Sequence, residues 1–218
     1  MSTNLYLFRC IPVKLQWANV DKSVHSQEYG VLEEDGRDLY QAIHAKANDT
    51  ANVAWVKLNA GQDGFYRVLY PARLQDKLAG HIADVPINDR LGLLMDAFAL
   101  GRTGRLPIGQ LMSTLSKFQG DRSFPVWSEI TQSLEGMYRL FSSRPEIATP
   151  MRTFIIELLA PVKEWLEAAI STAPKDQLDS LNVNFAFCVK TNSEFSYFPI
   201  FFILAILLAN PQLPRCSQ

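Results

Sequence analysis

Histidine and cysteine are scarce: the 218-residue chain carries three of each. His25, His44 and His81 stand alone, and none has a second histidine four residues away. The His-Glu-x-x-His spacing, which places two imidazoles on one helical face, is therefore missing. Cys10, Cys188 and Cys216 form no CxxC pair, which argues against a disulfide framework and against a cysteine metal site. Reduced thiols in a cytosolic protein are the expectation. Clustered basic residues are also missing; Arg102 and Arg105 are the densest local pair in a chain of net charge -1. No nucleic-acid partner is expected from that balance. There is no Gly-x-Ser-x-Gly nucleophile turn, and "GQDGFYR" lacks both the GxGxxG spacing and a phosphate-loop lysine. The acidic run Glu33, Glu34, Asp35 lacks the Gly and Glu of a calcium loop and reads as a solvated turn. The opening "MSTNLYLFRC" has no basic n-region and no long apolar core, so no secretory signal is expected. Catalytic, cofactor-binding and metal-binding residues are accordingly assigned to none.

What is present falls into three textures. The hydrophobic content is 48%, enough for a buried core. Residues 1–70 carry short alternating runs, "IPVKLQW", "VAWVKLN" and "GFYRVLY", which predict strands. "EEDGRD" and "HAKANDTAN" read as turns or loops. The stretch "WVKLNAGQDGFYRVLY" predicts a hairpin: one strand ends near Asn59, the next begins near Phe65, and Gly64 takes a positive φ in the link. On that second strand Tyr66 and Arg67 point to opposite faces, so they do not form one site.

From Pro71 to about Leu181 the period becomes helical. Leu74, Leu78 and Ile82 form one stripe. Leu91, Leu94, Met95 and Phe98 form a second, closed by Gly101 and Gly104. Pro107 and Gly120 bracket a third, Ile108, Leu111, Met112 and Leu115. Ser123 and Pro125 open a fourth through Trp127, Ile130, Leu134, Tyr138 and Phe141. A fifth runs from Pro145 through Met151, Phe154, Ile155, Leu158, Val162, Trp165, Leu166 and Ala169, with Pro161 expected to bend or split it. Asp96, on the second helix, is expected to pair locally or face solvent. Residues 182–218 form a divergent tail. Its apolar run, Tyr197 to Ala209, is about 13 residues and spans roughly 20 Å as a helix, short of the roughly 30 Å hydrocarbon core. A buried apolar tail and a membrane-associated segment over 198–209 are both open; a cytoplasmic location is preferred.

The fold class expected is α+β: a small antiparallel β-sandwich region over 1–70, then an antiparallel α-helical array over 71–181 that resembles the start of an α-solenoid.

Three linked motifs carry a resemblance. Trp55, Lys57, Asn59, Gly64, Phe65, Tyr66, Arg67, Val68 and Tyr70 form the first. Asp89, Arg90, Gly92, Leu93, Asp96, Ala97 and Phe98 form the second. Pro125, Val126, Trp127, Ser128 and Glu129 form the third. Together they resemble the zinc aminopeptidases of the aminopeptidase N and puromycin-sensitive aminopeptidase family. The matching part is where a β-sandwich hands over to a C-terminal helical domain similar to that of the endoplasmic-reticulum aminopeptidases. The resemblance implies peptides as substrates and zinc as cofactor in full-length relatives. It implies no catalytic residue here, because the zinc motif and the loop that holds the substrate amino terminus are not in this sequence. An aminopeptidase catalytic domain, or a second copy of the chain, is the partner implied. The alternative is a helical protein-interaction module.

Overall fold

The computed structural model describes residues 11–31, 37–49 and 51–172. They fall into two compact units, divided between Lys117 and Phe118. The architecture is α+β, as the sequence patterns predict.

The first unit holds the strands. β1 (Ile11–Asn19) and β2 (Val24–Val31) form an antiparallel hairpin, and β3 (Val53–Leu58) pairs antiparallel with the other edge of β1. The sheet order is β2-β1-β3. A tight turn joins β1 to β2, with Lys22 at φ 68 and the Asp21 carboxylate accepting from the Ser23 N–H at 2.9 Å. Cross-strand register places Leu15 opposite Leu58 and Trp17 opposite Val56, so these four share one face. That face carries the small core of Leu15, Val53 and Val56, against which Ala42 and Ile43 pack.

Ala42 and Ile43 belong to α1 (Arg37–Asn48), and here the sequence reading needs correction. The stretch "HAKANDTAN" was expected as loop, yet its first half is helix. Its Ala and Lys residues are good helix formers, and the partly buried pair Ala42 and Ile43 supplies a short apolar contact with the sheet. Lys46 lies 4.3 Å above the Trp17 ring, closing the helix over the sheet.

After β3 come α2 (Ala72–Gly80), α3 (Ile87–Arg102) and α4 (Ile108–Ser116). Pro71, Pro86 and Pro107 each stand just before a first turn, where a missing N–H costs nothing. The expected α3 stripe is rotated: Leu93, Leu94, Ala97 and Phe98 are buried, whereas Met95 is half exposed. The helix is apolar on more than one side, so periodicity alone could not say which side is inside.

The second unit contains α5 (Phe124–Phe141) and α6 (Pro145–Thr172), which pack together. Val126, Trp127, Ile130 and Leu134 face inward from α5, and Ile155, Leu158 and Val162 from α6. Pro161 does not split α6. A proline there removes the N–H that would bond the Glu157 carbonyl four residues earlier. The Gln119 side chain donates to that carbonyl instead, at 3.1 Å.

Among the described residues no helix is long and apolar enough to cross a membrane. The tail from residue 182, the acidic run 33–35 and all three cysteines lie outside the described residues.

Candidate functional site

The segment after β3 does not return as a second strand. Asn59, at φ 54 and ψ 46, turns the chain into a short 3₁₀ turn, Ala60–Gln62, and residues 63–70 carry no strand pairing. The hairpin reading is therefore overturned. The positive φ values fall at Asn59, Gly61 and Gln62, not at Gly64. Asparagine tolerates this region because its short amide side chain can hydrogen-bond locally.

Gly64 is needed for a different reason. A Cβ there would lie 2.2 Å from a ring carbon of Tyr66 and 3.0 Å from the Asn59 side-chain oxygen. The Asn59 side chain uses all of that closeness. Its Oδ1 accepts from the Gly64 N–H at 2.7 Å, and its Nδ2 donates to the Gly64 carbonyl at 2.9 Å. One buried amide thus holds the bend that the sequence assigned to a glycine turn.

Beneath the bend lies a buried ion pair that the sequence reading did not single out. Lys57 is 2% exposed. Its Nζ donates to the Leu58 carbonyl at 2.8 Å and lies 3.3 Å from Asp89 Oδ1. The same Asp89 oxygen accepts from the Gly61 N–H at 2.9 Å. Burial pushes the Lys57 ammonium below the usual lysine range, and the Asp89 charge opposes that shift. In the sequence Lys57 and Asp89 stand out only as members of the first and second motifs.

Two turns along α3, Asp96 holds the other end of the segment. Its Oδ2 accepts from the Val68 N–H at 3.0 Å, and its Oδ1 pairs with Arg67 Nη1 at 3.3 Å. The Arg67 Nη1 also donates to the Met95 carbonyl at 3.2 Å. Burial raises the Asp96 pKa; the Val68 hydrogen bond and the Arg67 charge partly offset this. The pairing is with a residue 29 positions away, not local and not with solvent. Tyr70 completes the arrangement: the Leu58 N–H donates to its hydroxyl at 2.8 Å. Burial raises the Tyr70 phenol pKa beyond its ordinary value.

Tyr66 and Arg67 do line one concavity, of about 580 Å³, with Gly92, Leu91 and Met95. Residues 65–70 are not in a sheet, yet Tyr66 is partly buried and Arg67 exposed, so the two still differ in burial while lining the same concavity. Their chemistry remains separate: the Arg67 guanidinium is engaged with Asp96, and burial raises the Tyr66 phenol pKa.

The histidines are dispersed. His25 stacks on Trp17 with ring centroids 5.4 Å apart, His44 contacts the Asn48 side chain, and His81 Nδ1 donates to the Lys77 carbonyl at 2.9 Å. Among the described residues no three His, Cys, Asp or Glu side chains are grouped so as to hold a metal ion. Among the described residues the donors do not fit the zinc that the resemblance implies for full-length relatives.

A family model described as the ERAP1-like C-terminal domain matches residues 55–192. The puromycin-sensitive aminopeptidase of Caenorhabditis elegans is 32% identical over 128 residues, 58% of this chain and 13% of that protein. Endoplasmic reticulum aminopeptidase 2 of Bos taurus is 29% identical over 145 residues, 58% of this chain and 15% of its own length. Aminopeptidase N of Homo sapiens is 27% identical over 138 residues, 59% of this chain and 14% of its own length. The matched region spans about a seventh of the length of these relatives.

Proposed function

The chain belongs to the family of ERAP1-like C-terminal domains, and on that premise we propose that it is a non-catalytic portion of an aminopeptidase-like protein. The observation that carries this reading is how the motif side chains are used. Lys57, Asn59, Asp89, Asp96 and Tyr70 each pair with a backbone group or charge within the fold. They lock the segment 59–70 onto α3, which leaves none of them poised toward a substrate. Peptide hydrolysis by a metal needs an ion with an open position and a water it can activate. No residue of this chain takes either role in our reading, and zinc and peptide substrate belong to the aminopeptidase relatives. The partner proposed is an aminopeptidase catalytic portion, with self-association as the alternative, and the compartment proposed is the cytoplasm.

The test is direct. The purified chain, supplied with zinc, is mixed with aminoacyl-anilide substrates. No chelator-sensitive chromophore release is expected. Turnover that survives repurification and stops on chelation would overturn the reading.

A further inference from the structure

The bend contains the dipeptide Asp63-Gly64, with the Asp63 side chain 65% exposed. An aspartate before a glycine is a chemically weak link, because no Cβ on the glycine hinders its nitrogen from reaching the aspartate side chain. The Gly64 nitrogen attacks the Asp63 Cγ, an N–Cγ bond forms, the carboxyl hydroxyl leaves as water, and the amide proton passes to solvent. Water then opens the five-membered imide. Opening at the main-chain carbonyl leaves isoaspartate, whose backbone runs through Cβ and is one carbon longer. Nothing besides water is exchanged. In the folded chain each reacting group is held. The Gly64 N–H is donated to Asn59 Oδ1 at 2.7 Å, and Asn59, itself 2% exposed, also fixes the Gly64 carbonyl. The Asp63 carboxylate accepts from Lys14 Nζ at 3.2 Å and folds back over Gly61, 3.3 Å from where a Cβ there would stand. Asp63 has helical φ and ψ of -74 and -25, and imide closure needs its ψ turned well out of that region.

We infer that Asp63 is an isoaspartate-forming site gated by the bend: Asn59 and Lys14 keep it closed in the folded chain, and local opening of residues 59–64 releases it to react. The change works in one direction. The added backbone carbon lies between Asp63 and Gly64, so one Asn59 amide no longer spans both the N–H and the carbonyl of Gly64. The bend then stays open, and the stretch that sets the Val68 N–H on Asp96 at 3.0 Å loses its register. The inference concerns covalent chemistry of this chain's own residues and is independent of whether the chain hydrolyses anything.

Peptide mapping of the whole chain, aged at neutral pH and physiological temperature, tests it. Trypsin releases residues 58–67, "LNAGQDGFYR", in which Asp63 is the one aspartate. Its aspartyl and isoaspartyl forms have equal mass, separate by chromatography and differ in electron-transfer fragments. The synthetic peptide of the same sequence, aged alongside, sets the unrestrained rate. Isoaspartate should form at Asp63 about tenfold more slowly in the folded chain than in the peptide. Urea that unfolds the chain should bring the rate up to that of the peptide. Asn59→Gly tolerates the positive φ at that position and removes the amide, and should age several-fold faster than the parent. Lys14→Met should also age faster, and it decides the matter if Asn59→Gly does not fold. Equal rates in folded chain and peptide, a urea rate as slow as the folded one, or a parental rate in either folded variant would each overturn the inference. The isolated isoaspartyl chain should exchange the Gly64 amide fast, and slow exchange there would overturn the one-way opening.

Discussion

The segment 55–70 with α3 and the α5–α6 pair are held by different means. In the α5–α6 pair the interior is nearly all apolar, with Val126, Ile130 and Leu134 showing 0% exposure. The Trp127 indole spends its N–H on the Asp121 carbonyl at 2.9 Å. Such packing is non-directional and tolerates exchange of one hydrocarbon for another of similar volume. Under residues 55–70 the contacts are directional: Lys57 with Asp89, Asn59 with Gly64, Asp96 with Val68. A buried ion pair adds little net stability, because desolvation cancels much of the attraction, yet losing one partner is costly. The first region is thus held by quantity of contact, the second by correctness of pairing.

The largest expected effects separate these two modes. Leu134→Ala should cost about 2–5 kcal/mol by opening a cavity. Asp89→Ala should cost about 3–5 kcal/mol by stranding the Lys57 charge. The double change Lys57→Met with Asp89→Leu should regain most of the second loss and none of the first. Urea unfolding measures the totals, and amide exchange at Val56 and Ile130 assigns each loss to its unit. A double variant as unstable as Asp89→Ala would break the comparison.

A smaller effect concerns two glycines. A Cβ on Gly92 would lie 1.9 Å from the Gln62 amide nitrogen, closer than any contact at Gly64. The Gln62 amide is the end of a flexible side chain, and alanine is favoured over glycine within a helix by about 1 kcal/mol. Gly92→Ala should therefore be near neutral. Gly64→Ala meets the Tyr66 ring and should cost about 1–3 kcal/mol. Equal melting temperatures for the two variants would place the bend elsewhere.

The smallest effect is in pH dependence. The folded Asp96 pKa lies above the ordinary 3.8. The folded protein therefore binds this proton more tightly than the unfolded chain, and the contribution favours folding at low pH. It is lost as pH rises from 3.8 through the folded value. Asp96→Asn keeps an acceptor for the Val68 N–H and removes the titration. The stability difference between Asp96→Asn and the parent should shift in favour of the variant as pH climbs through that window. A difference that does not change with pH would show that Asp96 is solvated as in the unfolded chain.

The same contrast explains what the sequence could disclose. The inward residues of α5 and α6 repeat at helical spacing, so Ile130, Leu134, Ile155 and Leu158 were readable as core. So were β1 and β3 as strands, although in β3 Trp55, Val56 and Lys57 are all buried and the alternation does not carry through. The α1 helix was missed because its turn-like end, "NDTAN", outweighed a stripe only two residues long. Residues 65–70 have strand composition and strand periodicity, and they keep that periodicity in exposure, but among the described residues no strand pairs with them. Lys57 and Asp89 are 32 positions apart, beyond what any local rule can connect. They were visible only as members of a motif, with no mechanism attached.

Pro161 has a consequence for how α6 is positioned. By leaving the Glu157 carbonyl without its helical donor, it marks one level of a 28-residue helix as chemically different from its neighbours. Gln119 finds that level. Sliding α6 by one turn, about 5.4 Å, would present Gln119 with a carbonyl already engaged in the helix and leave Glu157 bare. Apolar ridges repeat every turn and could accept such a slip; the proline works as an index mark that makes one register distinct from the next.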